Sequence, residues 1–262
     1  MRPAAARRRT EAARLLRDAE RRTAPVEPLS VTWPAPDVAD ACAVRQDDIA
    51  RRPASGASVI GHTAGLATAP MGELPGVGRP HFGHLLDDTV HRDGGTVRAA
   101  RYRAPRVEPE ICFRLARPLR GPDATLSDVL AATDAVAPAL EIIDSRVHDR
   151  RITATDTVAD DAGSAGPICG SFTPVAHAPD LAAVHVDLLV DGNRVATGGG
   201  QTPAHPAGAV ARLANALAAH GEGLGPGHVI LTGAMTTASC IGVDQKAEAR
   251  FGALGSVSVS FI

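Results

Sequence analysis

Three glutamates carry the sharpest chemical signal in this chain of 262 residues. Glu108 and Glu110 stand two apart in EPEICFRL, where Ile111, Phe113 and Leu115 alternate with Glu108, Glu110 and Cys112. That alternation reads as a β-strand, and residues i and i+2 of a strand point to one face. Two carboxylates side by side repel each other unless a cation or solvent separates them. On its own, such a pair also describes a solvated strand face. Glu141 adds the context, because it sits inside Ala-Val-Ala-Pro-Ala-Leu-Glu-Ile-Ile, an otherwise apolar run. A carboxylate flanked this way is expected to be buried, and a buried carboxylate needs a partner. Three converging carboxylates, with water at the remaining positions, make a hard-cation site that suits Mg2+ or Mn2+.

The elements that must position these residues follow from hydropathy period and breakers. Residues 10–22 place Ala13, Leu15, Leu16 and Ala19 near helical spacing, with Arg and Glu between them. Residues 23–36 are Pro-rich and read as a linker, and residues 38–51 read as a second helix that Asp37 can cap. From residue 58 onward the chain reads as short strands cut by Gly and Pro. Residues 58–65, 108–115, 135–143, 229–232 and 256–261 are predicted strands, and 126–132 and 207–220 predicted helices. Asp191-Gly192 between the segments 184–190 and 193–198 is a hairpin signal. Many short strands with few long helices predict an α+β protein with a β-rich, mixed, rolled or barrel-like sheet. The division expected is a helical N-terminal region over residues 1–57 and a catalytic domain over 58–262.

Composition narrows the partners. Apolar residues make up 44% and aromatics 3%, so the core must be built from Ala, Val, Leu and Ile. A formal net charge of -2 argues against nucleic acid or an anionic membrane as the main partner. Lys246 is the sole lysine, every other positive side chain being arginine, so almost no lysine is available as a catalytic base. Cys42, Cys112, Cys169 and Cys240 lie in no C-x-x-C pair and in no run with zinc spacing. Scattered cysteines in a chain of this length read as reduced thiols in the cytoplasm. No apolar run is long enough to span a bilayer, and the basic start MRPAAARRRTEAARLL lacks the apolar stretch of a signal peptide.

The order of motifs is more specific than any of them. E-x-E, about thirty residues, then PALEIIDSR, then DTVAD resembles the fumarylacetoacetase-like superfamily, on the branch of 2-hydroxy-2,4-dienoate hydratases and 4-oxalocrotonate decarboxylases. The segments VEPEICFRLARPL, APALEIIDSRVHD, DTVADDAGSAG, AHPAGAVARLANALAAHGEGLGPGHVILTGAM and GALGSVSVSF run in that family's order over residues 61–262. The resemblance implies a highly twisted mixed β-roll and a lyase of 2-keto acids or their 2-hydroxydienoate tautomers. It implies Glu108, Glu110 and Glu141 as ligands of Mg2+ or Mn2+, and a homo-oligomer, with a complex with a homologous enzyme as a further form. A 2-keto acid offers a carboxylate and a keto oxygen to one ion, which stabilises enolate charge. Hydration and decarboxylation share that electron sink.

The same segments imply further contacts. Arg146 either binds substrate carboxylate or braces the fold through Asp156. Ser145 beside it, and Thr232 with Gly233 at a strand end, are candidate substrate contacts, and Asp160 is a candidate neighbour of the metal shell. His205 caps a helix or acts as a base. Two positions depart from the family pattern. Thr63 in GHTAGLA stands where the resemblance implies a lysine, and His81 in PHFG where it implies an aspartate. Three readings follow. His81, with His62 or His84, takes over proton transfer; or the reaction keeps enolate chemistry but loses water addition; or the chain is a weakly active partner of an active homologue. A C–C hydrolase of acylpyruvates is the competing enzyme class, although Ala234-Met235 and VADDA favour the hydratase branch.

Overall fold

Alternation in one long stretch and a continuous apolar run in another produce the pair of strands on which the protein is built. The computed structural model describes residues 3–33, 35–65, 82–148, 152–199 and 205–262. Strand β5 (Arg106–Leu115) runs antiparallel to β6 (Thr133–Ile143) along nearly its whole length, with Glu108 opposite Glu141. Around this pair, β1 (Val59–Thr63), β2 (Gly83–Leu86), β3 (His91–Arg92), β7 (Ser164–Cys169) and β11 (Val229–Leu231) complete a mixed sheet in the order β2-β1-β11-β5-β6-β7-β3. Two short strands, β8 (Thr173–Pro174) and β12 (Ser239–Cys240), add to β6 and β5. A second sheet has the order β10-β9-β13-β14-β4, from β4 (Gly95–Val97), β9 (His185–Val190), β10 (Asn193–Gly199), β13 (Lys246–Arg250) and β14 (Ser256–Phe261). The result is α+β with curled, mixed sheets, as the sequence predicts.

Helices cover what the sheets leave open. In chain order they are α1 (Pro3–Arg22), the single turn α2 (Leu29–Thr32), α3 (Val38–Ile49), α4 (Leu126–Ala132), α5 (Ala154–Ala159) and α6 (Pro206–Ala218). Helix α6 buries Ala207, Val210, Leu213, Ala214 and Leu217 in a core shared with Phe113, Val136, Leu140 and Ile230. A separate cluster joins Leu16, Leu29, Trp33 and Val44 to Val147, Val158 and Ala159, so the N-terminal helices rest on α5. Arginine–carboxylate pairs frame that contact: Arg9 with Asp40, Arg17 with Asp48, and Arg52 with both Asp48 and Glu20.

Several boundaries move from expectation. Helix α1 begins at Pro3 rather than residue 10, because Arg-rich turns without apolar periodicity still have good helix propensity. The predicted linker holds α2, whose Ser30 donates to Asp156 Oδ2 at 2.7 Å. Asp37 caps α3 through a capping box with Asp40. The hairpin turns at Asp191 and Gly192, both at positive φ, as a two-residue connection requires. Lys246 is an exposed residue of β13.

One contact fixes the strand next to the site. β1 runs parallel to β11 with Gly61 opposite Val229. A Cβ at Gly61 would lie 1.8 Å from the Val229 carbonyl oxygen, so only glycine permits this approach.

Candidate metal centre

Strand β5 supplies Glu108 and Glu110 to one face, and β6 brings Glu141 opposite Glu108. One carboxylate oxygen from each lies within 4.8 Å of the other two. Glu110 and Glu141 are each 1% exposed, and Glu108 is half-buried. Neighbours hold two of the three in place. Gly233 N donates to Glu110 Oε2 at 2.7 Å. Ser164 Oγ donates to Glu141 Oε1 at 2.6 Å, and Thr63 Oγ1 to Glu141 Oε2 at 2.9 Å. Among the described residues, no salt bridge joins an arginine or lysine to any of the three.

Burial and like charge leave the cluster short of positive charge. Burial, then the charge of Glu141, pushes the Glu108 carboxyl up to about 7, with Arg106 pulling the other way. Burial, then Glu141 and Glu108, raises Glu110 well above the usual carboxylate range. Burial raises Glu141 too, against hydrogen bonds from Ser164 and Thr63 and one shared with Glu110. Three oxygen donors that disfavour one another in a buried setting fit a hard dication, which removes the repulsion and accepts their lone pairs.

The other predicted residues divide into two groups around this cluster. Thr63, Thr232 and Gly233 adjoin it: Thr63 holds Glu141, Gly233 holds Glu110, and Thr232 accepts from the Ile111 amide at 3.3 Å, one residue beyond Glu110. Ser145, Arg146 and Asp160 form a set of their own. Ser145 Oγ and Arg146 Nε donate to Asp160 at 2.8 Å and 2.7 Å, and Arg146 also bonds the Asp160 carbonyl. Arg146 therefore braces through Asp160 and not through Asp156, which is occupied by Ser30 and Thr153. Its Nη1 reaches the Ser164 carbonyl at 2.7 Å, which links this set to the residue that holds Glu141. Burial raises the Asp160 carboxyl despite the Arg146 charge. Asp160 is buried in this network rather than against a triad carboxylate.

Histidines lie elsewhere. His62 precedes Thr63 on β1, so its ring is on the opposite face, beside His84 at 5.0 Å between centroids and Phe82 at 6.0 Å. Burial, then His84 and His228, holds it well below the usual imidazole value. The structure brings Thr63 to the carboxylates and does not bring His62. His81 lies outside the described residues. His205 caps α6, its Nδ1 accepting from Ala207 N at 3.1 Å. A cleft of about 380 Å³ is lined by Glu20, Arg52, His84, Tyr102, Arg146 and Ser164 among others. None of the three glutamates lines it, so the centre is assigned by its donor chemistry and not by the cleft.

Ser164 is the contact that sequence reasoning missed. It lies in DAGSAG, where nothing local marks a hydroxyl that reaches a carboxylate on a neighbouring strand. The role of the Gly233 amide also differs from expectation, since it serves Glu110 directly.

The two longest strands of this α+β roll gather three carboxylates, two buried and one half-buried, in an arrangement whose donors suit a hard dication. The chain belongs to the Fumarylacetoacetate (FAA) hydrolase C-terminal family, which it matches over residues 61–261. It is 35% identical over 260 residues to the 2-oxo-hept-4-ene-1,7-dioate hydratase of Escherichia coli, across 95% of this chain and 96% of that one. It is 37% identical over 236 residues to the 4-oxalocrotonate decarboxylase of Pseudomonas sp. (strain CF600), across 88% and 89%. The solved 4-oxalocrotonate decarboxylase from Pseudomonas putida G7, complexed with magnesium and adipate, superposes with a TM-score of 0.93 at 33% identity over 98% of each chain. These relatives are hydratases and decarboxylases, that is, lyases, and the chain is an enzyme of their family.

Proposed function

We propose that this protein is a lyase acting on a 2-keto acid or its 2-hydroxydienoate tautomer, with Mg2+ or Mn2+ held by Glu108, Glu110 and Glu141. The observation that carries this reading is the convergence within 4.8 Å of three carboxylates, Glu110 and Glu141 buried and Glu108 half-buried, without a basic partner among the described residues. Full-length similarity to dienoate hydratases and oxalocrotonate decarboxylases supports it. When bound, the dication supplies Lewis-acid stabilisation of the negative charge that develops on a keto acid.

The chain's own residues supply the rest. Thr63 stands where the family resemblance implies a lysine, and its hydroxyl donates to Glu141. A threonine hydroxyl does not titrate near neutrality, so Thr63 orients a ligand and leaves proton transfer to another group. We assign that transfer to His81, whose type suits giving and taking a proton near pH 7. Thr232 and Gly233 back Glu110, while Ser145, Arg146 and Asp160 form the wall behind Ser164. The loss of a lysine at position 63 favours decarboxylation or tautomerisation over hydration, since those reactions use the electron sink without adding water.

The substrate is a small molecule, and we assign a cytoplasmic homo-oligomer, with a complex with a homologous enzyme as its alternative assembly. Among the described residues, no helix is long and apolar enough to cross a membrane. The test is spectrophotometric. Mg2+-loaded protein is incubated in turn with a 2-hydroxydienoate, a vinylogous 2-keto diacid and an acylpyruvate. Consumption of either of the first two supports the reading, and consumption of the acylpyruvate alone transfers the chain to the C–C hydrolases. Turnover that appears only when a homologous hydratase is added makes it a partner subunit. No turnover together with no Mg2+ binding removes the proposal.

A further inference from the structure

Strand β1 carries chemistry on both faces. Thr63 serves the carboxylates, and His62 on the other face serves nothing in that centre. His62 is 4% exposed, yet among the described residues neither of its ring nitrogens has a hydrogen-bond partner. A buried polar group left this way is costly, and native proteins rarely tolerate it without a partner or ligand. Nδ1 of His228, whose ring is 6.1 Å from that of His62, is also buried without a partner among the described residues.

The surroundings of His62 are built for a ligand. His84 is its cross-strand neighbour in the β1–β2 register. Nδ1 of His84 is held by Asp161 Oδ1 at 2.9 Å, and Asp161 Oδ2 accepts from the His84 amide at 3.0 Å. That grip fixes the ring and commits one nitrogen, which leaves Nε2 as the donor to a ligand. A carboxylate that orients an imidazole through its far nitrogen is the usual support of a metal-binding histidine. Glu222, in the turn that follows α6, completes the set: one donor atom each from His62, His84 and Glu222 lies within 4.8 Å of the other two. Glu222 is half-buried, which gives an ion a way in from solvent. Gln46 Nε2 on α3 donates to its Oε1 at 3.5 Å.

We propose that His62, His84 and Glu222 form a second metal site, separate from the carboxylate triad, that takes Zn2+ or a similar borderline dication. Two imidazoles and one carboxylate suit Zn2+ and disfavour Mg2+, whereas the all-oxygen triad has the reverse preference. Three protein donors leave a fourth tetrahedral position for water. The bound ion pins β1 and β2 to the turn after α6, on the reverse side of the strand that carries Thr63. The inference does not depend on which reaction the triad performs.

The experiment uses the whole chain with Mg2+ in large excess, titrated with Zn2+ by calorimetry and analysed for metal content after desalting. The wild type should retain one Zn2+ per chain beside its Mg2+. Glu222→Gln, at a half-buried position where folding is expected to survive, and Asp161→Asn should each weaken Zn2+ at least about 10-fold, the usual effect of losing a ligand or its support. Both should leave Mg2+ binding unchanged. Glu108→Gln should abolish Mg2+ binding and leave Zn2+ in place. His62→Asn should also lose Zn2+; if that variant fails to fold, Glu222→Gln decides. The proposal is overturned if no saturable Zn2+ binding occurs. It is equally overturned if Zn2+ binding survives Glu222→Gln undiminished, or disappears with Glu108→Gln because the ion had entered the triad.

Discussion

Burial raises both Glu110 and Glu141, and the charges of Glu141 and Glu108 raise Glu110 further, so the cluster resists carrying its full negative charge without a cation. This has measurable consequences for single residues. Glu110→Gln keeps an acceptor for the Gly233 amide and removes one charge from the cluster. It should abolish Mg2+ binding by calorimetry and raise the metal-free melting temperature by about 2–4 °C, a gain of about 1 kcal/mol. A metal-free variant that melts lower than wild type would contradict the repulsion inferred here. Thr63→Val strips a donor from Glu141 and should weaken Mg2+ about 10-fold, while Thr63→Ser should bind as wild type does. Equal affinities for Val and Ser would show that the hydroxyl plays no part. The pH dependence follows from Glu108, pushed up to about 7. Because its folded value exceeds its ordinary one, its proton favours the metal-free fold below the ordinary value, and that contribution is lost as pH rises through 7. A dication needs the ionised form, so Mg2+ affinity should climb between about pH 5.5 and about pH 8, and a flat profile would count against the triad. The glutamates were legible because strand alternation and an apolar flank are local patterns. Ser164 was not, since its partner is set by pairing between strands.

At the level of elements, local rules worked where a segment carries its own boundary signals. Asp37 with Asp40, and Asp191 with Gly192, announce a helix start and a hairpin from neighbouring residues alone. Asp37→Ala should cost about 1 kcal/mol, a fall of about 2–4 °C in melting temperature, with Mg2+ affinity untouched. A change in Mg2+ affinity in that variant would mean that α3 communicates with the triad. The short strands β2, β3, β4, β8 and β12 escaped prediction because two to four residues are too few for a period to show. Helix α1 was read short for the opposite reason: its first turns are polar, and hydropathy is silent where propensity decides.

For the molecule as a whole, α+β class and a rolled sheet could be read from the density of Gly and Pro between short apolar runs. Strand order could not, because the parallel β1–β11 pairing joins distant parts of the chain. Metal should be part of global stability. Stripping the dication with a chelator should lower the melting temperature by about 5–10 °C if the ion is present at about 100 times its dissociation constant, a linkage of about 2.7 kcal/mol. No shift on chelation would separate metal binding from folding. The close approach at Gly61 has a wider consequence. Since its backbone meets Val229 with no clearance, the strand works like a fixed rail, and the two side chains after it can be exchanged without the rail moving. One scaffold can thus carry a different cargo at 62 and at 63 while the supporting beam stays where it was.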